Sequence, residues 1–154
     1  MMIQIVDVRD NPELVDDAIQ FFWKQWGSEG NFNFYKDCIT QSCKTESEIP
    51  RFYLAIEDDN IIGSYAILRS DLNSRQDLSP WFACLYVRPE ARGKKIGDLL
   101  QAHAINETRD KGYVKLYLCT DLMGYYERTN WIYVGKGYSL SDDEIRIYEY
   151  LIKD

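Results

Sequence analysis

Apolar positions come in short runs separated by polar turns. Met2-Ile3-Gln4-Ile5-Val6-Asp7-Val8 is rich in Ile and Val and predicts a first strand over residues 2–8. Asn11 as a cap and Pro12 as an opening residue predict a helix that carries Phe21, Phe22, Trp23 and Trp26 and stops at Gly27. Phe32, Phe34 and Tyr35 precede a polar run from Gln41 to Glu48 that ends at Pro50, so a second short helix is expected near 33–44. Phe52 to Ile56 is strand-like, Asp58-Asp59-Asn60 supplies a turn, and Ile61 to Leu68 returns. These two make a hairpin, with Gly63 as a bulge or a point of close packing.

Residues 70–79 read as polar loop, and Trp81 to Val87 as the next strand. Over 94–110, Ile96, Leu99, Leu100, His103 and Ala104 fall at three- and four-residue spacing and predict a helix with one apolar face. Gly112 ends it. Val114 to Cys119 predicts a strand, 122–129 a short helix, and Trp131 to Val134 and Ile145 to Leu151 two closing strands. The alternation gives a mixed α/β sheet. There is no linker, repeat or low-complexity segment.

A chain of 154 residues suits one sizeable core, and residues 1–154 are expected to form one domain. Eighteen Lys and Arg stand against 25 Asp and Glu, for a net charge of −7. That balance argues against nonspecific binding to nucleic acid or an anionic membrane and suits a cationic small molecule. Cys38, Cys43, Cys84 and Cys119 have no paired-ligand spacing and there is a single histidine, so no metal site is expected, and free buried thiols are. The first residues reach Arg9 and Asp10 without a signal-peptide core, and no apolar run approaches a membrane span. The expected location is cytoplasmic.

Against the acidic background, Val87-Arg88-Pro89-Glu90-Ala91-Arg92-Gly93-Lys94-Lys95-Ile96-Gly97-Asp98-Leu99-Leu100 is locally basic. It joins a hydrophobic strand to an amphipathic helix through a glycine-containing turn. The first turn of a helix leaves N–H groups unpaired, and its dipole end favours an anion. Two readings follow from the residues: a cradle for a phosphate-bearing ligand, or a solvated helix start. Neither the full dinucleotide glycine pattern nor the end of a Walker loop is present.

The same run resembles the acyl-CoA signature of the GNAT superfamily of N-acetyltransferases, Arg/Gln-x-x-Gly-x-Gly/Ala. Arg92 takes the first position and Gly97 the last, with Gly93, Lys94 and Ile96 in frequent intervening types and Lys95 where the family usually has its middle glycine. A second segment, Tyr125-Tyr126-Glu127-Arg128-Thr129-Asn130-Trp131, is similar to the late family motif Phe/Tyr-Tyr-Glu-x-x-Gly-Phe. Asn130 replaces the glycine and tolerates the same left-handed backbone, while Trp131 keeps an aromatic anchor.

The resemblance implies a mostly antiparallel central sheet flanked by helices, in which the fourth and fifth strands splay. Pantetheine would pair with the fourth strand at Leu85, Tyr86 and Val87, and pyrophosphate would lie over Arg92, Gly93, Lys94, Lys95, Ile96 and Gly97. The implied reaction is direct attack of a primary amine on acetyl-CoA, releasing CoA, with Tyr126 giving a proton to the departing thiolate and an amide near Leu85 polarising the carbonyl.

Something must deprotonate the amine. Asp121, Glu57, Asp71 and Asp77 are candidates, each also readable as an ordinary solvated acid, and His103 falls on an apolar helix face where packing is the simpler account. Trp23, Trp26, Phe32, Phe34 and Tyr35 occupy the region that varies with acceptor in the family; they also suit a core or a homodimer surface. A polyamine, an aminoglycoside-like amine and an amino acid remain open as acceptors. So do a protein amine and a noncatalytic acyl-CoA sensor.

Overall fold

In the computed structural model, which describes residues 2–153, the expected runs become ten regular elements in the expected order. β1 (Ile3–Asp7) leads through two 3₁₀ turns to α1 (Val15–Trp26) and α2 (Phe32–Lys44). The hairpin β2 (Arg51–Glu57) and β3 (Asn60–Leu68) precedes β4 (Trp81–Val87), α3 (Ile96–Asp110) and β5 (Lys115–Thr120). β6 (Ile132–Tyr138) and β7 (Glu144–Leu151) close the chain.

The seven strands are ordered β1-β2-β3-β4-β5-β7-β6. β1 runs antiparallel to β2 from Ile3↔Glu57 to Asp7↔Tyr53, and β7 is antiparallel to both β5 and β6. β4 and β5 are parallel, in register at Trp81↔Tyr117. The chain divides into two compact units, residues 1–66 with 84–101, and residues 67–83 with 102–154. β3, β4 and α3 contribute to both.

In the first unit α1 buries Ala18, Ile19, Phe21 and Phe22 on one stripe, and carries Asp16 and Asp17 in its first turn and Lys24 in its last, as the helix dipole favours. Gly27 follows its last turn, at a position where any Cβ would run into the Trp23 ring. Gly63 is a point of close packing, where a Cβ would stand 2.9 Å from the Tyr86 carbonyl oxygen. The second unit packs Trp81, Tyr117 and Ile147 together, with Leu68, Leu78, Cys119 and Ile145 around them. Its 70–79 loop is polar but anchored: Ser74 N donates to Tyr138 O at 2.9 Å, and Tyr138 N to Ser74 Oγ at 2.8 Å.

Four local expectations need correction. Asn11 does not cap α1; its amide donates to Asp7 O at 2.9 Å, and the 3₁₀ turns delay the helix to Val15. The helix expected over 122–129 shrinks to a 3₁₀ turn, Tyr126–Thr129, because Gly124 at φ 79° breaks helical continuity just before it. Leu99 is 45% exposed, since the buried stripe of α3 follows Ile96, Leu100, Ala104 and Thr108 and leaves Leu99 on its flank. The cysteines are free, but Cys38 is exposed and the other three only half-buried.

Candidate active site

The basic turn is built by its own neighbours. Pro89–Ala91 forms a 3₁₀ turn, and Arg92 N donates to Pro89 O at 3.2 Å. The Arg92 side chain folds back, with Nε 2.9 Å from Val87 O and its guanidinium 5.7 Å from the Tyr86 ring centroid. Arg92 thereby fixes the turn to the end of β4 while its outer N–H groups stay in water.

Gly93 takes φ 83° and Lys95 φ 60°, the left-handed conformation that explains why a glycine would suit the latter position. Lys95 O accepts from Leu99 N at 3.1 Å. No backbone acceptor is found among the described residues for the amides of Gly93, Lys94, Lys95 and Ile96. A Cβ at Gly93 would meet nothing within 4 Å, so the main chain there is open to a ligand. Arg92, Gly93, Lys94 and Lys95 are exposed, Gly97 is half-buried, and Ile96 buries its side chain and offers only backbone. Unpaired amides, a helix start and exposed cations together fit a bound phosphate. Arg88 is used elsewhere: its backbone N donates to Ile62 O at 2.8 Å, its side chain to Ile61 O, and its guanidinium lies over Phe21.

β4 is not a plain strand. Cys84 adopts φ 57° in its middle, a left-handed residue that bends the backbone, and Ser64 Oγ donates to Cys84 O at 3.0 Å to hold it. Leu85, Tyr86 and Val87 beyond this bend are half-buried. Tyr86 meets Phe21 at 5.9 Å and Trp26 at 6.2 Å between centroids, so part of the aromatic set on α1 is wall beside β4. Trp26 is 37% and Phe34 49% exposed, whereas Trp23 is tied down by its indole N–H to Ser28 O.

Tyr126 lies in the second unit, in the 3₁₀ turn closed by Asn130 at φ 75°, as the left-handed exit requires. Its ring packs edge-on against Tyr125 and Trp131, at 4.8 and 6.1 Å between centroids, and is tilted to Tyr148 at 6.2 Å. Burial, and then the charges of Tyr125 and Cys119 when ionised, push its hydroxyl up to about 12. The hydroxyl has no hydrogen-bond partner among the described residues. Glu127 accepts from Tyr148 Oη at 2.7 Å, which holds its carboxyl below the ordinary range and makes it a tie to β7.

The four candidate acids separate. Asp121 is exposed, Asp77 pairs with Arg75 at 2.9 Å, and Glu57 lines a cavity of about 430 Å³ with Asp58, Arg88, Glu90 and Lys94. Asp71 is not a solvated acid. Burial pushes it up to about 6, and its Oδ2 accepts the Cys119 thiol at 3.3 Å. Burial, then Asp71, pushes that thiol up to about 12, and the buried Asn73 amide acts on the same sulfur in the opposite sense. Asn73 and Cys119 carried no sequence signal, because only folding brings the 70–79 loop to the end of β5.

Residues 48–138 match the GNAT acetyltransferase domain. An amino-acid acetyltransferase of Shewanella oneidensis is 35% identical over 75 residues, 49% of this chain and 16% of that protein, so the chain spans about one-sixth of its length. The aminoglycoside 6'-N-acetyltransferase of Enterococcus faecium superposes with a TM-score of 0.70 at 18% identity, covering 100% of this chain and 98% of that one. A GNAT family acetyltransferase of Elizabethkingia anophelis with acetyl-CoA bound gives 0.66 at 15% identity, covering 97% of each chain. At these identities the structures show a common fold.

Proposed function

Because the chain belongs to the GNAT acetyltransferases, we propose that it transfers an acetyl group from acetyl-CoA to a primary amine of a small molecule by direct attack. Acetyl-CoA is the donor and supplies a thioester carbonyl already open to a nucleophile. The observation that carries the assignment is the set of unpaired amides from Gly93 to Ile96 beneath exposed Arg92, Lys94 and Lys95. Those amides and cations, with Gly97, hold the pyrophosphate, and the backbone of Leu85, Tyr86 and Val87 takes the pantetheine arm. An N–H at Leu85 polarises the carbonyl.

Tyr126 gives its hydroxyl hydrogen to the departing sulfur. Its raised pKa of about 12 keeps that hydrogen in place at neutral pH, and the unpartnered hydroxyl is available to point at a new acceptor. Lys95 keeps the left-handed backbone a glycine would give, so the cradle retains its form; a noncatalytic acyl-CoA sensor would use the same cradle and is told apart by releasing no thiol.

A small cationic amine suits the charge of −7 and the aromatic wall of Trp26 and Tyr86. The two similar proteins are named for acceptors that are both small amines, an amino acid and an aminoglycoside. In this reading residues 1–154 act as one acyltransferase domain. The cytoplasm is the proposed location, supported by four free thiols; no helix among the described residues is long and apolar enough to cross a membrane. The test is a screen of polyamines, aminoglycosides, amino acids and a lysine peptide with acetyl-CoA, read as free thiol. Thiol release with a small amine supports the reading. Release with the peptide alone moves it to a protein acceptor, and no release with any amine overturns it.

A further inference from the structure

A half-buried carboxylate without a cation beside it is costly, and Asp71 is such a group. No lysine or arginine contributes to its ionisation; burial opposes the charge and the Cys119 thiol alone supports it. Within its own loop, Arg75 and Asp77 are spent on each other at 2.9 Å. Facing it from β5 is Cys119, whose ionisation would in turn raise the Tyr126 hydroxyl. One oxygen of Asp71 is thus fixed, Oδ2 by the S–H at 3.3 Å. The other, Oδ1, has no hydrogen bond among the described residues and is not sealed from solvent.

Cys119 invites a different reading, as a nucleophile that would carry the acetyl group. A thiol held up at about 12 by burial and a carboxylate has almost no thiolate at neutral pH, so its part is to position Asp71.

We propose, on the premise of the acetyl transfer argued above, that Asp71 is the base of this enzyme: Oδ1 takes the proton of the attacking amine while Cys119 holds Oδ2. The nitrogen–carbon bond forms as the carbon–sulfur bond breaks. The proton leaving nitrogen goes to Asp71 and the hydrogen reaching sulfur comes from Tyr126. Return of the Asp71 proton to the Tyr126 phenolate, through water, closes the cycle with no other reactant. A carboxylate titrating near 6 is ionised at neutral pH yet basic enough to accept the proton.

The experiment is the pH dependence of kcat/KM for whichever amine the screen identifies, with acetyl-CoA affinity measured alongside. The wild type should lose activity as pH falls through about 6. Asp71→Asn should lower the rate about 100-fold, keep acetyl-CoA affinity and abolish that acidic limb. The exposed control Asp77→Asn should change neither. Cys119→Ala removes the hydrogen bond that favours the ionised carboxylate, so the limb should move to higher pH. Asp71→Asn with the wild-type rate, or with the acidic limb intact, overturns the proposal while leaving acetyl transfer standing. If Asp71→Asn does not fold, an unmoved limb in Cys119→Ala overturns it instead. A wild type that consumes no amine fails the broader reading, and this one with it.

Discussion

The basic turn at 88–97 and the cluster of Asp71, Asn73, Cys119 and Tyr126 treat charge in opposite ways. The turn keeps Arg92, Lys94 and Lys95 in water and presents bare main chain, so its cations cost nothing to maintain and its pull on an anion is screened by salt. The cluster withdraws its ionisable groups from water and shifts them, Asp71 to about 6, Tyr126 and Cys119 to about 12. An anion of fixed charge needs only donors and a field; moving protons needs groups whose affinities have been tuned. In the proposed reaction the turn would hold the donor and the cluster would move the protons.

That division is broken most severely at Tyr126. Tyr126→Phe keeps the ring and its contacts with Tyr125 and Trp131, so turnover should fall about 100-fold with acetyl-CoA affinity retained. Tyr125→Phe, at a position where the motif accepts phenylalanine, should be milder. Equal losses in the two would place the acid elsewhere in the turn.

Gly63→Ala attacks the frame of β4 rather than its chemistry. The new methyl would lie 2.9 Å from Tyr86 O and 3.3 Å from Leu100, and backbone must shift to admit it. Denaturant unfolding should report a loss of about 1–3 kcal/mol, the usual cost of overpacking.

Asp71→Asn should have the opposite sign on stability. The folded pKa of about 6 lies above the unfolded value, so folding takes up a proton; the stability is full below about 3.9 and is lost as pH rises through 6. At about pH 8 the variant should be more stable than wild type by about 1–3 kcal/mol, and near pH 3.5 the two should match. A variant less stable at pH 8 would mean that the carboxylate is better solvated than its burial implies. Smallest is Lys95→Gly, which relieves a left-handed lysine and should add about 1 kcal/mol of stability while keeping acetyl-CoA affinity within a few-fold.

The two regions also differ in how far they can be read from the chain. Strand, basic turn and helix are contiguous, so Arg92 to Gly97 carries its own context and β4 falls at Trp81–Val87 as expected. Asn130 likewise announces its left-handed exit by residue type. The cluster joins positions 48 residues apart, Asp71 and Cys119, through packing that no local period encodes. The composition of the 70–79 loop predicts a solvated segment, whereas Ser74 ties it to Tyr138 of β6 and Asp71 bonds Cys119 of β5. The bend at Cys84 was equally silent, since a cysteine in an apolar run gives no warning of φ 57°. Where local spacing did mislead, as at Leu99, the stripe was set by residues four apart and not three.

Whether this chain holds acetyl-CoA on the turn from Arg92 to Gly97 is decided by calorimetric titration of acetyl-CoA into wild type, Arg92→Ala and Arg75→Ala. Wild type should bind, Arg92→Ala should bind about 3–10-fold more weakly through loss of a charge-assisted contact, and Arg75→Ala should match wild type. Folded wild-type protein that takes up neither acetyl-CoA nor CoA would contradict the claim.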